Sequence, residues 1–259
     1  MSAIILDSQV VHYEVLGRGR PVLFLHGWVG SWRYWVPTMQ SVSIGYRAYS
    51  IDLWGFGDTA KASSKYSLEQ QVELVDEFLN EMGIAKVVLI GHGLGAIIAM
   101  LYAQKHPLIV DRLMLIGYPF TNAALDARLE AETPDALARL LLPQSDADHN
   151  EAAKADQEAI KTSLQNMAEL ELNELPKQLK TPGLLVHGEN DSLVQVPAVG
   201  INGALPGNLH FLQLEGAGHF PMVDKSNKFN RLLADFLALE SGQSPQRLQL
   251  KEEWKRRVR

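Results

Sequence analysis

Hydrophobic and polar positions change period several times along this chain, and the changes mark out its elements. Ile4-Ile5-Leu6 and Val10-Val11-His12-Tyr13 flank a short polar turn and predict an opening hairpin. Val22 to Leu25 is a continuous apolar run, as expected of a strand buried on both faces, and Tyr46 to Leu53, Val87 to Ile90, Leu113 to Ile116, Gly183 to Val186 and His210 to Leu214 are further runs of strand length. Helical spacing lies between them. A helix is predicted from Ser31 with Trp32, Trp35 and Met39. Ser67-Leu68-Glu69-Gln70 is a capping-box signature ahead of Val72, Val75, Phe78 and Leu79. Ala96-Ile97-Ile98-Ala99-Met100 reads as a buried helix, and Phe229, Leu232, Leu233, Phe236 and Leu237 give an amphipathic one near 226–240. Strands alternating with helices predict an α/β fold with a mostly parallel sheet flanked by helices.

The alternation stops over residues 119–182, which are rich in Ala, Leu, Glu and Asp and helical near 134–142 and 150–172. The expected organisation is a core of residues 1–118 and 183–240, a helical lid insertion at 119–182 over the carboxyl ends of the strands, and a basic C-terminal tail at 241–259. In the tail, Arg247, Lys251, Lys255, Arg256, Arg257 and Arg259 outweigh Glu252 and Glu253. Leu250, Trp254 and Val258 would share one helical face there, suited to docking on the domain itself, to a dimer contact or to an anionic membrane surface.

Composition narrows the function classes. With 259 residues, a single α/β domain is expected. A net charge of −6 gives no electrostatic reason to expect nucleic acid. The chain has no cysteine, which excludes a disulfide framework, a thiolate nucleophile and thiolate metal ligands. No apolar run approaches the ~20 residues that span a bilayer, and the first residues show no signal peptide, so a cytoplasmic monomer or homodimer is expected. The eight His residues are scattered without an H-x-x-x-H or H-E-x-x-H pair, and Gly17-Arg18-Gly19 opens no helix, so neither a metal nor a cofactor is expected.

The segment with the most chemical content is Gly91-His92-Gly93-Leu94-Gly95, between a predicted strand and a predicted helix. Strand, tight Gly-rich turn and helix are the setting of the G-x-S-x-G nucleophile elbow, but here the central residue is Gly93. Four further segments follow a recognisable order around it: His26-Gly27-Trp28, Asp52 to Asp58 with Thr59 next, Gly188-Glu189-Asn190-Asp191, and Gly216-Ala217-Gly218-His219. Together they make the chain similar, over nearly its whole length, to the α/β-hydrolase fold family of esterase and haloperoxidase type, with Gly in place of the nucleophilic Ser.

The resemblance implies a role for each residue. His219 is the imidazole of the site, and Asp191 is the carboxylate that accepts its Nδ1–H. Backbone N–H groups of Trp28 and Leu94 form the oxyanion hole, which does not need the missing hydroxyl. His26 braces the loop beneath that hole, Asp52 ties down the loop before Trp54, and His92 points away from the reacting centre. Trp54, Phe56, Tyr118, Phe120 and Phe220 fall on loops at the strands' carboxyl ends and are expected to bind substrate. Aromatic walls without Lys or Arg in the elbow or the His loop suit a small apolar molecule with one polarised carbonyl.

Three functions fit a vacant nucleophile position. The leading expectation is a carboxylic-ester or lactone-type hydrolase, engineered as a knockout or attenuated at Gly93. The second is a general-base enzyme that uses His219 and Asp191 without a covalent step, for water-mediated hydrolysis or for lyase or cofactor-free oxygenase chemistry. The third is a catalytically inactive small-molecule-binding pseudoenzyme.

Overall fold

The strand-length runs lie side by side in the computed structural model, which describes residues 2–142, 146–195, 197 and 201–250. The strands are β1 (Ser2–Leu6), β2 (Gln9–Gly17), β3 (Arg20–Leu25), β4 (Tyr46–Ile51), β5 (Val87–His92), β6 (Val110–Ile116), β7 (Gly183–Gly188) and β8 (Leu209–Leu214). They form one sheet in the order β1-β2-β4-β3-β5-β6-β7-β8. From β3 to β8 every pairing is parallel, and the opening hairpin is added antiparallel through β2 against β4. Asp7 and Ser8, both at positive φ, make the tight turn of that hairpin.

The helices are α1 (Val36–Val42), α2 (Leu68–Glu81), α3 (Leu94–Lys105), α4 (Arg128–Ala131), α5 (Pro134–Leu141), α6 (Asp146–Ala152), α7 (Gln157–Ala168), α8 (Leu175–Gln178), α9 (Pro221–Asp224) and α10 (Ser226–Leu237). Ser67 caps α2 by accepting the Gln70 N–H, as its sequence signature predicts. The apolar stripe of α2 packs on α3, whose residues are buried on nearly every side against β5 and β6. Phe229, Leu232, Leu233, Phe236 and Leu237 of α10 are all buried, and α10 packs against α1. The result is a mostly parallel sheet flanked by helices, the predicted α/β class.

Between β6 and β7 the chain leaves the sheet and forms α4 to α8. One helical stretch is predicted over 150–172, but the structure breaks it. Asp156 starts α7 by capping the Glu158 N–H, while its own N–H goes to the Gly55 carbonyl and its Oδ2 accepts from Tyr66 Oη. Three bonds place this insertion across the carboxyl edge of the sheet: Trp28 Nε1 to Ser163 Oγ at 3.0 Å, Asp156 N to Gly55 O at 2.7 Å, and Tyr118 Oη to Leu172 O at 2.8 Å. Trp28, Gly55 and Tyr118 follow the ends of β3, β4 and β6. The predicted tail helix through Leu250, Trp254 and Val258 lies almost wholly outside the described residues. None of the described helices is long and apolar enough to cross a membrane.

Close backbone approach holds the sheet's carboxyl edge together. A Cβ on Gly188, the last residue of β7, would sit 2.0 Å from the Gly218 carbonyl oxygen. Only glycine lets the turns bearing Asp191 and His219 meet. We expect Gly188→Ala to lower the unfolding free energy by about 1–3 kcal/mol, the usual effect of overpacking, in urea titrations against the parent chain.

Candidate active site

β5 runs directly into α3, and the single residue between them is Gly93, at φ +52° and ψ −112°. Its N–H donates to Ile116 O on the neighbouring strand at 2.8 Å, and its carbonyl accepts from Ala96 and Ile97 at the start of α3. A Cβ built here would lie 3.1 Å from Cε3 and Cζ3 of Trp28. The indole therefore rests against the place where a nucleophile's side chain would begin. Trp28 is wholly buried and held from the far side, since its Nε1–H donates to Ser163 Oγ on α7, which in turn donates to Ile160 O.

The loop after β3 is braced from below. His26 donates from Nδ1 to Gly27 O at 2.8 Å and accepts the Leu53 N–H on Nε2 at 3.0 Å. Burial lowers its pKa, so it stays neutral and keeps that tautomer. The Gly95 N–H is spent on His26 O, and the Gly27 N–H on Tyr34 Oη. The backbone N–H groups of Trp28 and Leu94, the two donors implied by resemblance, have no acceptor among the described residues. Leu94 opens α3, where free amides and the helix dipole both favour negative charge.

His219 and Asp191 come together from the turns after β8 and β7. His219 Nδ1 lies 3.0 and 3.1 Å from the two Asp191 oxygens, and both side chains are buried. Asp191 Oδ1 also accepts the backbone N–H groups of Leu193 and Val194, each at 2.9 Å. Burial alone would raise the Asp191 pKa, but His219 and those two amides outweigh it and hold the carboxyl at about 2. An ionised carboxylate can only accept, so Nδ1 of His219 carries the proton. Its Nε2 has no partner among the described residues. The ring stands 4.5 Å from that of His92, the residue before Gly93, which places the imidazole beside the elbow. Gly117, at φ +60°, makes room for the pair: a Cβ there would lie 3.4 Å from His219 Cε1 and 3.7 Å from Asp191 Oδ2.

The remaining predicted residues fall into two groups. Tyr118 and Phe120 pack edge to face at the end of β6, with Phe120 partly exposed and Tyr118 tied to the insertion. Trp54, Phe56 and Phe220 are buried in contacts within the scaffold: Trp54 exchanges two hydrogen bonds with Gln71, Phe56 meets the His26 ring, and Phe220 packs against His92, His219 and Tyr34. Residue patterns gave no sign of Tyr34 or Ser163, which act through contacts distant in sequence. Gly117 carried a weak signal, as a Gly closing an apolar strand.

Asp52 sits beneath the loops as a buried anchor. It accepts the Trp32 and Asp58 N–H groups and His12 Nδ1, and His12, Asp52 and Asp58 bring ligand-type atoms within 4.8 Å of one another. Those contacts already occupy both Asp52 oxygens, and Asp58 Oδ1 is paired with Lys154 Nζ at 2.8 Å, so the group reads as a structural network rather than a metal site. His187, on β7 near Phe120 and Phe211, is held at about 4 by burial and remains neutral.

Residues 20–140 match the profile of the alpha/beta hydrolase fold. Over 254 aligned residues the chain is 26% identical to a pimeloyl-[acyl-carrier protein] methyl ester esterase of Aliivibrio fischeri, covering 88% of this chain and 97% of that one. It is 35% identical to human epoxide hydrolase 4 over 115 residues, 43% of this chain and 32% of that protein. Among solved structures, N-acyl homoserine lactonase AidH complexed with N-butanoyl homoserine superposes with a TM-score of 0.83 at 20% identity, over 93% of this chain and 99% of that one. The enol-lactonase of Burkholderia xenovorans superposes with a TM-score of 0.78 at 19% identity, over 92% and 100%. At these identities the two superpositions establish the fold alone.

Two outcomes follow from the site geometry. Asp191 has a depressed pKa, so its contribution to stability is present above its ordinary value of 3.8 and is lost as pH falls towards about 2. Denaturant titrations of the parent and of Asp191→Asn should differ at pH 5 and converge by about 2 kcal/mol as pH drops to 2. Separately, Gly93→Ala places a Cβ on a backbone that disfavours one and should cost roughly 1–3 kcal/mol in the same assay at neutral pH.

Proposed function

We propose that this chain, whose residues 20–140 match the alpha/beta hydrolase fold, is a weak hydrolase of small apolar carboxylic esters or lactones in which His219 activates water directly and no acyl-enzyme forms at Gly93. The observation that carries this reading is the imidazole–carboxylate pair beside an elbow whose Trp28 and Leu94 amides are unspent while its hydroxyl is missing. Nε2 of His219 takes a proton from water as the oxygen attacks the substrate carbonyl. The developing oxyanion accepts from Trp28 N–H and Leu94 N–H, and Asp191 stabilises the imidazolium. The imidazolium then returns its proton to the departing alkoxide oxygen, which completes the cleavage. The insertion α4 to α8 serves as the lid that covers the reacting centre. The likeness to a methyl ester esterase across most of both chains favours a carbonyl substrate.

A second reading is a non-catalytic small-molecule binder. The Trp28 ring favours it, because its closeness to Gly93 narrows the space for an attacking water.

Short acyl aryl esters and lactones, assayed with parent, His219→Gln and Gly93→Ser proteins, separate these readings. Slow turnover is expected in the parent without a burst, falling by roughly 10²–10⁴-fold in His219→Gln. Gly93→Ser is expected to add a burst of acylation. Equal rates in parent and His219→Gln, or a burst in the parent, would contradict the hydrolase reading. Compounds that raise the melting temperature without turnover would favour the binder.

A further inference from the structure

Tyr34 and His92 take no part in the proposed reaction, yet both are buried and commit their polar atoms to one path. The Gly27 N–H donates to Tyr34 Oη at 2.8 Å, Tyr34 Oη–H donates to His92 Nδ1 at 3.0 Å, and His92 Nε2–H donates to the His219 carbonyl at 2.9 Å. The directions are forced. An amide N–H can only donate and a carbonyl can only accept, so His92 carries its proton on Nε2 and the phenol supplies the middle donor. Phe220 closes against both rings, 5.4 Å from Tyr34 and 4.9 Å from His92. The two ends matter for the site: Gly27 precedes Trp28, and His219 bears the imidazole. These loops follow β3 and β8, and β5, β6 and β7 lie between those strands, so the two loops are not joined by a direct strand pairing.

We infer that Tyr34 and His92 are positioning residues, whose hydrogen-bond chain sets the spacing between the Trp28 donor and the His219 imidazole. The inference rests on the site assignment proposed above. Burial and the neighbouring His219 ring hold the His92 pKa well below its ordinary value, so the ring stays neutral and the chain keeps its direction. If the two residues were only satisfied core groups, removing one link would disturb its immediate neighbours and leave the far ends in place.

The test uses the full chain, labelled with ¹⁵N. Long-range histidine spectra of the parent should show His92 as one tautomer, with a pyrrole-type Nε2 and a pyridine-type Nδ1. The opposite tautomer would overturn the chain as drawn, and this reading needs neither a variant nor a substrate. Tyr34→Phe should shift both the Trp28 amide and the His219 ring resonances while the protein remains folded. Unchanged Trp28 and His219 resonances in folded Tyr34→Phe would overturn the inference. On any ester that the parent hydrolyses, Tyr34→Phe should lower kcat by about tenfold or more with KM within about twofold. Loss in KM alone would also overturn it. Because the spectra need no turnover, absence of hydrolysis would count against the proposed function and leave this coupling to be judged by itself.

Discussion

A left-handed backbone step joins β5 to α3 at Gly93, and the rest of the site is arranged around it. The step turns a buried strand straight into a buried helix, which brings the first free amide of α3 to the carboxyl edge of the sheet. For a residue with a side chain, this conformation costs on the order of 1–3 kcal/mol. Glycine relieves that strain. The turn therefore persists without the chemistry that a side chain there would provide, and what it still delivers is backbone: the Leu94 N–H and the positive end of a helix.

The buried imidazoles show how polar groups are divided between support and reaction. His26 and His92 each engage both ring nitrogens, and burial keeps both neutral. Groups held in this way fix geometry and move no protons. His219 is built differently. Its Nδ1 faces an ionised carboxylate, while its Nε2 has no partner among the described residues. This asymmetry is what a proton-transferring imidazole requires, and it distinguishes His219 from its buried neighbours. Trp28 adds a constraint of another kind, because its ring lies against the vacant position and its Nε1 is tethered to α7. One side chain thereby joins the insertion to the elbow at Gly93.

Much of this was legible in the residues. The positions of the strands along the chain followed from apolar runs, and the α2 cap from Ser67 and Gln70. The pairing of Asp191 with His219 was implied by two Gly-rich turns in a familiar order. What could not be read depends on contacts between distant segments. The helical pattern through 150–172 gave no sign that Asp156 would bond to Gly55 and Tyr66 and break it. Phe56 and Phe220 look like pocket residues from their loops, and only the packed structure shows them against His26 and His92. Tyr34 sits among Trp32 and Trp35, where its hydroxyl is indistinguishable from that of any core tyrosine until its partners are known.

The proposed function requires a carbonyl held between two backbone amides and an imidazole at a turn without a nucleophile. A crystal structure with a non-hydrolysable ester or lactone analogue tests this most directly. The analogue's oxygen is expected within hydrogen-bonding distance of Trp28 N and Leu94 N, with a water between His219 Nε2 and the carbonyl carbon. An analogue bound elsewhere, or a Trp28 ring that fills the space above Gly93 and excludes both carbonyl and water, would contradict it.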